Sequence, residues 1–318
     1  MFKNTKFVIK VIGNLLMIAA LIFIIHRIWI MKIDWSYLLR PKILLYIFAF
    51  ILVYIVYIYF LAFAWKLILQ IWTVKKIPYL STLGVYCKAN LEKYIPGNIM
   101  QFVGRNIYGE KLGLSQLQLA LSSVIEIILT LFTGAILCLP MISTTLLKWL
   151  INYHINIYLW IIIGTLTLLG IMICIMIFRK NVIISSILYL FLQKQFWILC
   201  FILIFLYSLG MIVNAFILVV LINDVISISF RQIPLLISAY IGSWLVGYVF
   251  PGSPGGLGVR ESILLFILSK TFPSQSILIA IVIQRLISIL GDILAWIFYI
   301  ILDKMEHKGL ISLYTDNN

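Results

Sequence analysis

Residues 43–65 run for 23 positions without a charge. Such a run has no face to offer water. In hydrocarbon its backbone N–H and C=O groups can be satisfied only within the segment itself, so it folds as a helix. At 1.5 Å per residue it reaches about 34 Å, enough to cross about 30 Å of hydrocarbon. Runs of the same kind fall at about 7–30, 116–140, 157–178, 196–222, 232–250 and 277–302. A further run, 257–269, has 13 residues and is too short for a straight span, which predicts a broken or re-entrant element. The chain therefore reads as an all-α polytopic integral membrane protein of about eight membrane helices, with short broken or re-entrant segments among them. It forms one transmembrane domain over residues 1–318, with no soluble domain. Charged residues make up 11% of the chain, against about 25% in soluble proteins.

The net charge of +14 would suggest nucleic acid in a soluble protein. Here the basic residues flank apolar spans, so orientation and anionic headgroups account for them, and no nucleic-acid partner is expected. Lys3, Lys6 and Lys10 precede the first run, and no small-residue cleavage site follows it. It reads as an uncleaved first helix. With the N-terminus in the cytoplasm and eight crossings, sixteen Lys and Arg face the cytoplasm and seven face outside. Both termini are then cytoplasmic, as are the Pro-Gly stretches at 94–109 and 248–262, in a plasma or inner membrane. Residues 66–93, with Lys66, Lys75, Lys76, Lys88 and Lys93, read as a basic amphipathic segment at the interface.

Two stretches interrupt the apolar pattern. Tyr248–Ser262 packs Pro251, Gly252, Pro254, Gly255, Gly256 and Gly258 ahead of Arg260 and Glu261. Glycine and proline together break a membrane helix where a cavity-lining turn is wanted. Tyr94–Gly109 is a looser version, with Pro96-Gly97 nine positions before Arg105. Pro251 also stands nine positions before Arg260. The match is consistent with a parallel 4+4 repeat, a form that transporters take. Two unrelated turns would give the same spacing.

Charges at membrane depth cost on the order of 2.5–3.5 kcal/mol each on insertion scales, and they default to functional sites. Glu126, Arg285 and Asp292 are of this kind. Arg285 and Asp292 lie two helical turns apart and share a face. They form either a headgroup site or a buried ion-pair lock between the last helix and the helix carrying Glu126. Arg105 and Arg260 each follow a glycine turn. A guanidinium fork and the backbone N–H groups of such a turn suit a phosphate. An interfacial arginine opening a helix, with Glu261 answering the helix dipole, reads from the same residues. The glycines and prolines more simply shape the turns. Arg260, Arg105 and Arg285 are thus the candidate lipid-headgroup or phosphate ligands. Glu261, Pro251, Gly252, Gly255, Gly256, Gly258, Pro96, Gly97, Glu126 and Asp292 shape the motif and cavity.

Cys87, Cys138, Cys174 and Cys200 form no CxxC, and His26, His154 and His307 are scattered. Neither a disulfide framework nor a metal site is expected, and no cofactor is implied. P-loop, HExxH, GxSxG and DxD patterns are missing.

Three stretches carry a family likeness: Glu92-Lys-Tyr-Ile-Pro-Gly-Asn98 continuing to Arg105, Pro251-Gly-Ser-Pro-Gly-Gly-Leu-Gly-Val-Arg-Glu261, and Gln284-Arg285. With them the chain resembles the lysylphosphatidylglycerol synthase transmembrane-region family, the flippase-like module of the multiple peptide resistance factor, from about residue 8 to about 302. Pro96-Gly97 is followed by Asn98-Ile99, where the family's first motif commonly has a Gly-Gly pair. The resemblance implies a protein that moves a lipid between leaflets in cell-envelope biogenesis. It implies no lysyl transfer, because the soluble aminoacyl-transferase domain of the fused proteins is absent from this sequence.

The expectation is a flippase for a phosphate-bearing lipid, either a polyprenyl-phosphate-linked sugar or an aminoacylated phospholipid. Its partners are membrane lipids, with a lipid-modifying enzyme or a second copy of the chain as further candidates. A membrane-embedded transferase using Glu261 or Glu126 as base is the alternative, as is a non-catalytic partner of a separate synthase or glycosyltransferase.

Overall fold

The structure is a computed structural model that describes residues 39–94, 99–152, 193–250 and 253–307, with backbone only at Pro254, at His307 and from residue 140 to 152. Eight α-helices lie among them: α1 (Pro41–Leu69), α2 (Tyr79–Leu91), α3 (Met100–Gly109), α4 (Gln116–Asn152), α5 (Lys194–Val225), α6 (Ile233–Val249), α7 (Val259–Leu268) and α8 (Ser274–His307). No strand occurs among the described residues. The runs expected at 7–30 and 157–178 lie outside the described residues. Five helical stretches are long and apolar enough to cross a membrane: Pro41–Trp72, Gln116–Leu139, Lys194–Val225, Phe230–Val249 and Ser274–Glu306. The chain is an all-α polytopic membrane protein.

Side-chain contacts set the direction of each helix. Lys42, at the start of α1, pairs with Asp224 at the end of α5. Gly210 of α5 lies against the Tyr57 ring of α1, so α1 and α5 are antiparallel along their length. On α8, Gly291 lies against Tyr54, and the Ala295 carbonyl accepts a hydrogen bond from Tyr59 Oη at 3.2 Å. Both partners advance together, so α8 is parallel to α1. Between α4 and α6, Gly134 meets Leu245 and Cys138 meets the Ser238 carbonyl, an antiparallel pair.

These directions make α2–α3 and α6–α7 two helical hairpins entering from opposite faces. The first begins and ends on the face where α1 finishes and α4 starts; there Trp72 Nε1 donates to Ser122 Oγ at 2.8 Å. The second begins and ends on the face where α5 finishes and α8 starts. With 13, 10, 17 and 10 residues in α2, α3, α6 and α7, the arms reach about 20, 15, 26 and 15 Å. The α2, α3 and α7 arms are too short to cross about 30 Å of hydrocarbon. The hairpin tips, Glu92–Tyr94 and Pro254–Gly256, pack on one another near Asp292, which neighbours the Gly291–Tyr54 contact halfway along α1.

The order long helix, hairpin, long helix thus occurs twice, and the second occurrence runs backwards. This corrects two expectations. The repeat is inverted rather than parallel, and the described part of the second motif, residues 253–262, lies inside the protein rather than at a membrane face. Residues 232–250 are long enough to cross but turn back at the tip. A third expectation also changes. Residues 79–91 do not lie on the membrane surface: Thr82, Leu83, Gly84, Val85, Tyr86, Cys87, Ala89 and Asn90 are all buried. This segment packs against α1, α3 and α8.

The tip of the second hairpin depends on glycine. Gly255, Gly256 and Gly258 have φ of 55°, 72° and 83°, a region that other L-residues enter only with strain. A Cβ on Gly256 would stand 3.3 Å from the Gly247 carbonyl oxygen, so this position also needs the missing side chain for close approach.

Candidate functional site

Where the two tips meet, the helices leave a cavity of about 130 Å³. One water needs about 10–15 Å³ on this measure, so the space takes a small polar group with several waters. Its wall draws on both hairpins and on α1, α4, α5 and α8. Tyr54, Tyr57, Tyr86, Tyr240 and Trp244 supply aromatic surface, and Asn90, Gln101, Asn214, Gln284 and Ser288 supply polar groups. Lys93, Arg105, Arg260 and Arg285 bring positive charge, and Glu126 brings negative charge.

Each repeat ties the return arm of its hairpin to the next long helix through a buried Arg–Glu pair, with the polarity exchanged. In the first repeat Arg105 of α3 bonds Glu126 of α4. Arg105 is 3% exposed, and its guanidinium lies over the Tyr86 ring at 4.1 Å and over the Trp65 and Phe102 rings at 5.5 Å. Tyr86 Oη donates to the other Glu126 oxygen at 3.4 Å. In the second repeat Glu261 of α7 accepts Arg285 Nε of α8 at 2.5 Å. The second oxygen of Glu261 accepts the Gly258 N–H at 2.7 Å, a reach-back bond that satisfies a helix-start donor. Arg285 Nη2 donates to the Gly255 carbonyl at 2.9 Å. Arg285 therefore anchors the glycine turn and the helix after it together.

Asp292, 1% exposed, holds the other tip. Its carboxylate accepts Asn90 Nδ2 at 2.7 Å and Tyr94 Oη at 2.6 Å, and it pairs with Lys93 Nζ at 2.7 Å. α8 thus grips both tips, two turns apart, with charges of opposite sign. The shared face of Arg285 and Asp292 was legible in their spacing. The expected ion-pair lock between α8 and Glu126 does not form, because Glu126 is taken by Arg105.

Arg260 is different. Among the described residues no carboxylate pairs with it. Its guanidinium lies over the Tyr240 ring at 4.4 Å, and it lines the cavity. Arg105 Nε and Tyr207 Oη are buried without a hydrogen-bond partner. Pro96, Gly97, Pro251 and Gly252 lie outside the described residues. Gly255 and Gly256 line the cavity, and Gly258 serves the turn behind it. Lys93, Tyr94 and Asn90 were not expected at the site. Lys93 sits in the Glu92-Lys-Tyr stretch beside the Pro-Gly turn, and that placement was the available signal. Among the described residues no three His, Cys, Asp or Glu side chains come together as metal ligands would. Comparison with family models, curated proteins and solved structures returns no match.

Proposed function

We propose that this protein translocates a phosphate-bearing lipid between leaflets. The observation that carries the reading is the cavity at mid-membrane, built where hairpins from opposite faces meet, with Arg260 free of carboxylates beside a glycine turn. Oppositely entering broken helices around a central site are the architecture by which transporters expose one site to each side in turn. The guanidinium of Arg260 suits a phosphate, and Arg285 and Lys93 add positive potential around it. Arg105 acts here as part of the wall, since Glu126 already answers its charge. The sequence likeness to the lysylphosphatidylglycerol synthase transmembrane-region family supports the same reading.

Orientation follows from the basic residues. Lys66, Lys75, Lys76, Lys111, Lys194 and Lys304 flank the face where α1 ends, and Arg40, Lys42, Arg231 and Lys270 flank the other. The bias supports a cytoplasmic setting for the first face, together with the end of α8.

The test is a proteoliposome assay that follows a fluorescently labelled phosphatidylglycerol from the inner to the outer leaflet. Arg260→Gln is expected to lower the protein-dependent rate tenfold or more. A wild-type rate in that variant would remove Arg260 from the site, and no protein-dependent transfer of any phosphate lipid would overturn the function.

A further inference from the structure

The charges around the cavity restrict which headgroup fits, given the phosphate-site reading above. Lys93 is matched by Asp292, Arg105 by Glu126 and Arg285 by Glu261. Each of these carboxylates also accepts at least one neutral donor, from Asn90 and Tyr94, from Tyr86, and from the Gly258 N–H. Three of the four cations are therefore neutralised by buried partners, and Arg260 alone among the described residues leaves one positive charge facing the space. A ligand of one negative charge brings the cavity to neutrality. A dianion would leave a buried excess charge, which is costly in a low-dielectric site. A headgroup bearing an ammonium would find no carboxylate lacking a partner, and it would meet the field of Arg260. The wall adds neutral polar side chains, Gln101 and Ser288 among them. Amide and hydroxyl groups of this kind pair with the hydroxyls of a sugar or polyol.

We infer that the site selects a monoanionic phosphodiester lipid with an uncharged, oxygen-rich headgroup, such as a sugar or polyol, and selects against headgroups bearing an amine. Arg260 holds the phosphodiester, and the neutral polar wall faces the headgroup oxygens. Of the two lipid classes expected from the sequence, this favours the phosphodiester-linked sugar over the aminoacylated phospholipid.

The experiment measures binding by thermal stabilisation of the full-length protein in neutral detergent micelles. The probes are dioctanoyl phosphatidylglycerol, phosphatidylcholine, lysyl-phosphatidylglycerol and phosphatidic acid. Phosphatidylglycerol is expected to bind at least tenfold more tightly than each of the others. In Arg260→Gln that preference should fall to less than threefold. All four probes carry phosphate. Equal binding of all four, or tighter binding of lysyl-phosphatidylglycerol or phosphatidic acid, overturns this inference and leaves the phosphate site standing. Binding of none overturns the phosphate site itself. Arg260 has no buried carboxylate partner to strand, so its variant should fold. The wild-type probe series decides the question even if it does not. Displacement of bound phosphatidylglycerol by an equal concentration of water-soluble sn-glycero-3-phosphoglycerol would assign the site to a soluble phosphodiester and overturn the lipid assignment. No displacement supports it.

Discussion

Replacing Glu126 by Gln leaves Arg105 charged, 3% exposed and enclosed by Tyr86, Trp65 and Phe102. A guanidinium cannot shed its proton to escape such a site. Breaking a buried pair by removing one partner costs about 3–5 kcal/mol. At about 2.1 cal/mol/K of unfolding entropy per residue, each kcal/mol corresponds to about 1.5 °C of melting temperature in a chain of 318 residues, so the fall expected for Glu126→Gln is about 4–8 °C. Arg105→Met should cost less, because the carboxyl left behind can neutralise itself by taking up a proton. The double variant Arg105→Met with Glu126→Leu removes both charges and keeps the volume. It should recover to within about 1 kcal/mol of the wild type, since apolar replacement of a whole buried pair is often neutral. The assay is thermal denaturation in detergent, followed as a double-mutant cycle, with an expected coupling of about 2 kcal/mol or more. Two single costs that simply add in the double variant would refute the pairing of α3 with α4 through these side chains.

Gly256→Ala should destabilise by about 1–2 kcal/mol from its positive φ alone, with crowding against the Gly247 carbonyl added. Gly113→Ala is its control, with a φ of 76° and nothing within 4 Å; equal losses in the two would show that the hairpin tip is not tightly packed. Asp292→Asn should strand Lys93 and lower the melting temperature, and Lys93→Met in the same chain should restore most of the loss. No rescue would mean that Asp292 acts through Asn90 and Tyr94 instead. Lys42→Ala should leave the melting temperature almost unchanged, because its side chain is 65% exposed. Cysteines placed at 42 and 224 in a cysteine-free background should join through a short bifunctional thiol reagent, and failure to do so would contradict the antiparallel setting of α1 and α5.

Several features were legible before any coordinates. The 23-residue uncharged run at 43–65 dictates a helix because hydrocarbon offers the backbone no other partner. The glycines before Arg260 announce a turn with positive φ, and three of them have it. The spacing of Arg285 and Asp292 places both on one face, and both point into the protein.

Other features needed the tertiary structure. Lys93 reads as one more interfacial lysine, since nothing near it in the chain shows that Asp292, some 200 residues away, lies within 2.7 Å. Residues 79–91 read as a surface segment because Lys88 and the lysines on either side of them suggest water, but contacts with three neighbouring helices bury them. Counts of Lys and Arg locate loops, and they register only on which side a segment ends. They are blind to a helix that enters from one face, stops at mid-depth and returns, because both its ends lie on the same side. Local chemistry thus determines that this chain forms membrane helices broken at two Pro-Gly turns. Long-range packing decides that the turns come from opposite faces, that the buried charges among the described residues are matched, and that Arg260 is left facing the cavity.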